Sequence, residues 1–283
     1  MNSMLLQQFN RKEVEAAMKQ MKPITAPRPN GMPPLFYQSF WSTMGVDVCS
    51  AVLNCLNNCK IPTDINCNHI ALIPKVKSPE RITEYRPISL CNVVYKLVSK
   101  VLANRLKSIL PLVISENLSA FQVGRVITDN ILMAFETLHY MKHHQNGSSG
   151  FMALKLDMSK AYDRVEWKYL ELVMKRMGLA NSWVALMMEC ISSVSYSILI
   201  NSEPSSIIHP AKGIRQGDPL SPYLFLFIME GLHSLIQHAA ASGQIRGVSI
   251  CKKGPWLTHL FFTDDSLFFC RASIRNVTRF KIS

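Results

Sequence analysis

The chain has 283 residues, of which 48% are hydrophobic and 18% charged, and its formal net charge is +12 at pH 7. This composition excludes a disordered chain, and the length allows one large or two smaller folded domains. No apolar run reaches the ~18 residues of a membrane span, and the N-terminal residues do not resemble a signal peptide. We therefore expect an intracellular protein that is not secreted, has no membrane partner and binds a polyanion.

The eight cysteines agree with an intracellular location. Four of them lie near a histidine: Cys49, Cys55, Cys59, Cys67 and His69. The spacing C-x5-C-x3-C-x7-C matches no usual zinc pattern, so we favour buried reduced thiols over a metal site.

The positive charge is concentrated in one part of the chain. Residues 60–125 contain ten Lys or Arg and four Asp or Glu, a balance of +6 out of +12. Such a segment is typical of a surface that binds phosphates, although a solvated basic face is the alternative.

The N-terminal part is predicted to be mostly helical. A short amphipathic helix covers residues 13–21, and a Pro/Gly-rich loop over 22–34 follows it. Residues 35–58 have the periodicity of one or two helices, and residues 70–74 form a short strand.

A long helix is predicted to start at Ser89 and to end at Pro111, because one apolar stripe runs along it. A further helix covers residues 129–144, and a flexible connection over 145–150 follows. Three lysines of the long helix lie off its apolar stripe and form a basic face: Lys96, Lys100 and Lys107.

Residues 151–158 alternate in the manner of a strand with one apolar face. The apolar face contains Met152, Leu154, Leu156 and Met158, and the other face contains Ala153, Lys155 and Asp157. We expect the first face to pack on helices and the second to line a cleft, with Asp157 at the end of the strand.

A helix is predicted to follow from about Arg164 and to stop at Gly178. Asp163 and Glu166 are predicted to form a capping pair at its start, which gives Asp163 a structural role.

A hairpin around Glu203-Pro204 is predicted over residues 195–210. The turn GIRQGDPLSP then leads into a helix over residues 222–241, which Gly243 ends.

The stretch HLFFTDDSLFF at residues 259–269 predicts a hairpin of two apolar strands with Asp264 and Asp265 at its turn. A solvated Asp-Asp turn is the simple interpretation. If Asp157 lies on a neighbouring strand, however, the three carboxylates can hold two divalent ions for phosphoryl transfer, and oxygen ligands favour Mg²⁺ or Mn²⁺. The predicted fold class is α+β, with an antiparallel sheet covered by helices on one face.

Six stretches occur in the order of a known family: IALIPKV, EYRPISLCNVVYKLVSKVLANRLK, ENLSAFQVGRVITDNILMAFE, FMALKLDMSKAYDRVEW, GIRQGDPLSPYLF and HLFFTDDSLFFC. With them the chain resembles the reverse transcriptase domain of a plant non-LTR (LINE-type) retrotransposon over residues 23–271. The resemblance implies the fingers and palm of a right-hand polymerase. Residues 1–150 would be fingers, with an N-terminal extension over 1–22, and residues 151–283 a palm with an antiparallel sheet.

The implied activity is RNA-directed DNA polymerase, a nucleotidyltransferase that adds deoxynucleotides to a primer 3′-hydroxyl. The implied partners are an RNA template, a DNA primer and deoxynucleoside triphosphates, in a nuclear or cytoplasmic ribonucleoprotein. The implied cofactor is two Mg²⁺ ions, with Mn²⁺ as a substitute. Asp157 and Asp264 match the principal metal ligands of the family, and Asp265 matches a second aspartate with a less direct contact.

Five further residues match substrate-binding positions of the family. Tyr162 matches the aromatic gate that excludes a 2′-hydroxyl, with core packing at a helix start as the alternative. Gln216 and Gly217 match the nucleotide pocket, with an ordinary turn as the alternative. Lys75 and Arg86 match finger residues that grip the triphosphate, and contact with the template backbone is their alternative.

The sequence also departs from the family. Thr263 replaces the usual Ala, and Arg28 and Asn30 stand where Gly and Asp are usual. Because the chain ends soon after the Asp pair, we expect the palm to be truncated and the thumb, endonuclease and RNase H segments to be absent. A catalytically inactive nucleic-acid-binding remnant of a retrotransposon is therefore the alternative function.

Two other polymerase families share the motif plan. A viral RNA-dependent RNA polymerase usually has Gly before the Asp pair, so Thr263 and Tyr162 argue against it. A group II intron maturase fits the stretch after Glu84 less well than the LINE family does.

Overall fold

A computed structural model describes residues 1–24, 31–115, 118, 127–144, 150–251, 254–262 and 265–272. Their helices and strands confirm the α+β prediction. The helices are α1 (Asn2–Leu5), α2 (Arg11–Lys19), α3 (Pro34–Ser39), α4 (Trp41–Asn58), α5 (Val93–Val113), α6 (Ile127–His143), α7 (Trp167–Arg176), α8 (Asn181–Ser192) and α9 (Ser221–Ala241). The strands are β1 (Cys67–Pro74), β2 (Tyr85–Cys91), β3 (Phe151–Asp157), β4 (Ser195–Ile200), β5 (Glu203–Pro204), β6 (His259–Phe261) and β7 (Asp265–Arg271).

The chain forms two compact units, each discontinuous in sequence. The first unit comprises Met1–Leu112 and Tyr162–Phe225, and the second comprises Val113–Ala161 and Leu226–Ser283. The predicted division into fingers and palm at residue 150 describes functional subdomains. The two compact units do not test it, so it stays a prediction.

The first unit contains a four-stranded mixed sheet in the order β2-β1-β4-β5. Strands β1 and β2 are antiparallel, with Ile73 opposite Arg86, whereas β1 and β4 are parallel. The predicted apolar stripe of α5 is largely buried: Leu97, Val98, Val101, Leu102, Leu106 and Ile109. This stripe forms much of the core of the first unit.

Arg105 on α5 fixes the N-terminal segment in the first unit. Its guanidinium makes two bonds to the Glu13 carboxylate, at 2.7 and 2.9 Å, and its side chain is only 9% exposed. It also donates to the backbone oxygens of residues 5, 7 and 8, and it lies 3.7 Å from the centre of the Phe9 ring. A planar group with five donors can make all these contacts at once.

The second unit contains a three-stranded antiparallel sheet in the order β3-β7-β6. Leu260 and Phe269 of this sheet belong to one buried cluster with Ala134 and Met141 of α6. A helix therefore packs on an antiparallel sheet, as predicted, but it packs on the face that also carries Asp265, which was predicted to line a cleft.

Helix α9 starts one residue before the predicted position, and Gly243 follows it in the left-handed region at φ +67°. Among the described residues it is the one helix whose length and mean hydropathy of 1.2 would allow it to cross a membrane. A core helix of a globular protein passes the same test, so this property decides nothing about a membrane.

Both predicted ends of α5 were wrong, and the strand before it was not predicted. Residues 85–91 form a strand that the sequence did not reveal, and Pro87 is tolerated there because β2 is an edge strand. The helix therefore starts at Val93, where the Asn92 side chain accepts from the backbone N–H of Val94. Pro111 lies in the last turn and does not end the helix, because a proline there removes only one helical hydrogen bond.

The predicted capping pair was also wrong. Helix α7 starts at Trp167, its N-cap is Glu166, and no side-chain cap bond is made. Asp163 lies in a short 3₁₀ helix (Tyr162–Arg164) before it. The stop at Gly178 is confirmed, since Gly178 adopts φ +83° just beyond the helix.

The hairpin of β4 and β5, which was predicted around Glu203-Pro204, turns earlier than predicted. Its turn is Asn201-Ser202, with both φ angles positive, while Glu203 and Pro204 belong to the returning strand. Two consecutive residues with positive φ are what a tight two-residue hairpin turn requires, and Asn tolerates that conformation well. Helix α8, which precedes this hairpin, was not predicted.

We expect Arg105→Lys to lower the free energy of unfolding by about 2–4 kcal/mol, because Lys cannot make the two-bond contact with Glu13 and leaves several backbone oxygens without their donor. Chemical denaturation followed by circular dichroism measures this change. Lys107→Met, at an exposed position of the same helix, is the control and should change stability by no more than about 0.5 kcal/mol. Equal losses in both variants would contradict the assigned role of Arg105.

Candidate functional site

Strand β3 presents its polar residues on one exposed face, as predicted. Ala153, Lys155 and Asp157 are exposed, while the residues between them are half-buried. The alternation follows from the two-residue period of a strand. Asp157 is the last residue of β3, so its carboxylate lies at the edge of that face.

The antiparallel register brings two of the three predicted metal ligands together. Asp157 of β3 lies directly opposite Asp265 of β7. Directly opposite residues point to the same side of a sheet, with Cβ atoms about 4.5–5.5 Å apart. Asp264, the third predicted ligand, lies outside the described residues together with Thr263.

A lysine already accompanies one of these carboxylates. Lys155 Nζ lies 3.1 Å from Asp265 Oδ1, and the two side chains are 64% and 42% exposed. Lys155 stands two residues before Asp157 on the same face of β3, which explains how it reaches Asp265 diagonally across the strand pair. Because the pair is exposed, it contributes little to stability.

The two described carboxylates fit a divalent cation of the Mg²⁺ type. They supply oxygen donors only, they face solvent, and Asp265 already accepts a cationic group. Within the described ranges, which do not include Asp264, no group of three His, Cys, Asp or Glu side chains could hold a metal ion. All eight cysteines lie in those ranges as free thiols.

Buried contacts hold the strands on both sides of the Asp-Asp turn. The backbone N–H of Phe262 donates to the backbone oxygen of Asp265 at 2.9 Å. His259 at the start of β6 is fully buried, and its Nε2 lies 2.8 Å from Nδ1 of His233 on α9. Its other ring nitrogen lies 2.8 Å from the Thr258 hydroxyl oxygen.

Burial and, to a smaller extent, the neighbouring His233 together lower the pKa of His259 to about 3. His259 is therefore neutral at pH 7, which suits its apolar surroundings of Phe261 and Phe268. A proton on this ring would be costly because the charged form is excluded from water.

The predicted triphosphate-gripping residues lie on one hairpin of the first unit. Arg86 is exposed on β2, and Lys75 follows directly after β1. The Lys75 side chain donates to the Thr83 backbone oxygen at 3.2 Å across the hairpin. The hairpin therefore presents both cations at the solvent-exposed end of the mixed sheet.

The RQGD turn, defined as residues 215–218, lies against the same strand. The backbone N–H of Ser89 on β2 donates to the backbone oxygen of Gln216 at 2.9 Å. Gly217 has φ +100°, and a Cβ atom at this position would lie 3.3 Å from the Ser89 oxygen. Only glycine combines this backbone conformation with such close contact.

Tyr162 is connected to the segment that leads into the RQGD turn. Its backbone oxygen accepts from the Ile214 N–H at 2.9 Å. Its ring stacks on Phe225, with ring centres 5.2 Å apart. A ring held in this way fits both interpretations of Tyr162, namely a gate that excludes a 2′-hydroxyl and core packing at a helix start.

A cavity of about 190 Å³ lies where these segments of the first unit meet. Pro87 and Ser89 of β2, Asp163, Lys212 and Gln216 line it. The structure thus brings the segments of Tyr162, Gln216, Gly217 and Arg86 together through β2 and the RQGD turn.

Sequence reasoning missed the residues that support this turn. Arg215 and Asp218, on either side of Gln216-Gly217, are buried and form an ion pair. Tyr95 and Ser99 of α5, both fully buried, donate hydrogen bonds to the Asp218 carboxylate. The sequence feature that could have revealed this buried pair is two opposite charges three residues apart, next to the apolar residues Ile214 and Leu220.

The family follows from comparison with known proteins. Residues 73–279 match the model of the family described as reverse transcriptase (RNA-dependent DNA polymerase), which is more than half of the chain. The chain therefore belongs to the reverse transcriptase family, and it is by family an RNA-directed DNA polymerase.

Two long relatives among curated proteins belong to transposable elements. The chain is 29% identical over 225 residues to the Transposon TX1 uncharacterized 149 kDa protein of Xenopus laevis, covering 80% of this chain and 17% of that protein. It is 28% identical over 210 residues to the Pol polyprotein of the type-2 retrotransposable element R2DM of Drosophila melanogaster, covering 74% of this chain and 19% of that protein.

A shorter match is closer in sequence. An uncharacterized mitochondrial protein of Arabidopsis thaliana is 41% identical over 68 residues, which are 24% of this chain and 56% of that protein. The chain thus spans less than a fifth of the two long relatives and about half of the short one.

We expect the free energy of unfolding to fall as the pH falls below about 6.5, by up to about 1.4 kcal/mol per pH unit from His259 alone. The unfolded chain binds a proton at this histidine near pH 6.5, whereas the folded chain does so only near pH 3. Stability from the neutral ring is therefore complete above pH 6.5 and is lost progressively toward pH 3. Urea denaturation between pH 5 and 8 measures the slope.

The comparison of two variants isolates the contribution of His259 to the pH dependence of the free energy of unfolding. His259→Gln should make the slope shallower, while His238→Gln, at an exposed position of α9, should leave it unchanged. A slope that is the same in His259→Gln and in the wild-type chain would contradict the assignment.

Proposed function

We propose that this chain catalyses RNA-directed DNA synthesis, in which a primer 3′-hydroxyl attacks a deoxynucleoside triphosphate and pyrophosphate leaves. The observation that carries the proposal is the opposed pair Asp157 and Asp265 at one end of the β3–β7 ladder, where both side chains reach solvent. In a member of the reverse transcriptase family, carboxylates at this position are well suited to phosphoryl transfer.

Asp157, Asp264 and Asp265 are the residues that we propose to hold Mg²⁺, or Mn²⁺ in its place. Two bound ions of this kind activate the attacking hydroxyl and neutralise the charge on the leaving group. Asp157 contributes from the end of a strand, so its position is fixed by the ladder. Lys155 limits the mutual repulsion of the carboxylates by pairing with Asp265.

Residues of the first unit are proposed to bind the incoming nucleotide. Arg86 suits a two-bond contact with a phosphate and Lys75 suits a single charge contact. Gln216 and Gly217 are proposed to line the nucleotide pocket, where glycine permits close approach of the backbone. The Tyr162 ring is proposed to exclude a ribose 2′-hydroxyl, and stacking on Phe225 supports this by restricting the ring.

The proposed partners are an RNA template, a DNA primer and deoxynucleoside triphosphates. The net charge of +12 favours such polyanions. We propose an intracellular ribonucleoprotein in the nucleus or cytoplasm as the site of action, and a plant LINE-type element as the origin. The Arabidopsis match supports the plant origin over its 68 residues.

We expect primer extension on an RNA template with deoxynucleotides and Mg²⁺ or Mn²⁺. Asp157→Asn and Asp264→Asn should each lower the rate by about 10³-fold, because each removes a carboxylate that is proposed to hold the metal ions, and with them the stabilisation of the transition state. Asp129→Asn, at an exposed position of α6, is the control and should retain the wild-type rate. Incorporation of a labelled deoxynucleotide measures the rate.

The outcomes separate the two candidate functions. Extension that survives both substitutions comes from a contaminating polymerase and contradicts catalysis by this chain. Salt-sensitive binding of RNA or DNA without any extension favours the inactive nucleic-acid-binding protein.

We expect Tyr162→Ala to relax the choice of sugar by about tenfold, because removal of the ring opens space for a 2′-hydroxyl. Tyr162→Phe keeps the ring and should retain the preference for deoxynucleotides. The ratio of kcat/KM for a deoxynucleotide and the matching ribonucleotide measures the effect. An active Tyr162→Ala variant with an unchanged ratio would leave core packing as the role of this residue.

A further inference from the structure

Asp218 is a buried carboxylate whose oxygens are well supplied with donors. It is 4% exposed and accepts from the Tyr95 hydroxyl at 2.8 Å, from the Leu220 backbone N–H at 3.1 Å and from the Ser99 hydroxyl. Arg215 adds a contact of 3.3 Å from its guanidinium. A charge removed from water is tolerated only with such compensation, so the position of this carboxylate is tightly determined.

Arg215 is held equally firmly. It is 3% exposed, donates to the Cys190 backbone oxygen of α8 at 2.5 Å, and its guanidinium carbon lies 4.1 Å from the centre of the Tyr95 ring. Burial lowers the pKa of this group, but Tyr95 and Asp218 raise it more, so Arg215 stays charged. The first and last residues of the RQGD turn are thus both anchored in the core.

Gln216 and Gly217 lie between these two anchors. Gln216 is half-buried and lines the cavity of about 190 Å³, while Gly217 is exposed and close to Ser89. An anchored residue on each side restricts the backbone of the two residues between them. The hydrogen bond from Ser89 to Gln216 then fixes their distance from β2.

Stability alone does not account for a buried ion pair at this place. Apolar side chains of similar volume are often as stabilising as a buried ion pair, or more so. The alternative use of such a pair is to specify one geometry.

We propose that Arg215 and Asp218, with Tyr95 and Ser99 behind them, are positioning residues that hold Gln216 and Gly217 in the conformation that binds the nucleotide. This inference rests on the proposed function, since it takes the nucleotide pocket to lie at Gln216. None of the four side chains needs to contact the nucleotide. Their effect passes through the backbone of the RQGD turn.

The test compares two variants of the pair. Asp218→Asn keeps the shape of the side chain but leaves Arg215 without its counter-charge, whereas the double variant Arg215→Met with Asp218→Asn removes both charges. In primer extension, Asp218→Asn should raise the KM for the deoxynucleotide about tenfold with little change in kcat. The double variant should regain thermal stability yet keep the raised KM.

A structural readout accompanies the kinetic one. Amide hydrogen exchange of the peptide containing Ser89 should be faster in both variants, because its bond to Gln216 opens more often. Glu13→Gln, which weakens the partly buried pair with Arg105 in the same unit, is the matched control. It should lower stability and leave both KM and the Ser89 exchange unchanged.

If Asp218→Asn does not fold, Tyr95→Phe takes its place, because it removes one hydrogen bond to Asp218 and keeps the ring under Arg215. Its KM should rise about twofold to threefold. A folded Asp218→Asn or Tyr95→Phe variant with wild-type KM would overturn the inference and leave the proposed function intact. So would a double variant that regains both stability and KM.

Failure of the proposed function gives a different result. A wild-type chain that neither extends a primer nor binds a deoxynucleotide, measured with a fluorescent deoxynucleotide and Mg²⁺, contradicts both the proposed function and the inference.

Discussion

Asp157 and Asp265 face the same side of one sheet because β3 and β7 pair in a single antiparallel register, with Phe151 opposite Arg271 and Asp157 opposite Asp265. The side chains of a strand alternate, so a slip by one residue would move Asp265 to the face on which Ser266 is fully buried. The slip is opposed by Phe268, which is buried on the same face as Ser266 and would be turned to the other face. The core of the second unit therefore determines where the carboxylates stand.

Charged groups serve two different purposes in this chain. The pair of Lys155 and Asp265 is exposed and contributes little energy. The pair of Arg215 and Asp218 is buried, with donors from α5 and a backbone oxygen of α8, so it cannot rearrange without leaving charges unpaired. The exposed pair lies at the proposed site of chemistry, and the buried pair supports the proposed nucleotide pocket from within the first unit.

Much of the fold could be predicted from the sequence because several signals are local. The alternation in residues 151–158 and the two apolar strands around the Asp pair were confirmed, as was the apolar stripe of α5. Strand β2 was missed because Pro87 weakens the strand pattern, and its pairing partner β1 is decided by tertiary contacts. The capping pair failed because Asp163 was already part of a separate 3₁₀ turn.

The sequence by itself determined the family, the residue types of the site and the strands that carry them, because motifs and side-chain periodicity are properties of neighbouring residues. Only the tertiary structure decided that Asp157 stands opposite Asp265 and that Lys155 pairs with the latter, since strand register depends on residues more than a hundred positions apart. It also decided that Arg215 and Asp218 are buried: their charges predict a solvent-exposed turn, and the donors that compensate them come from helices distant in sequence.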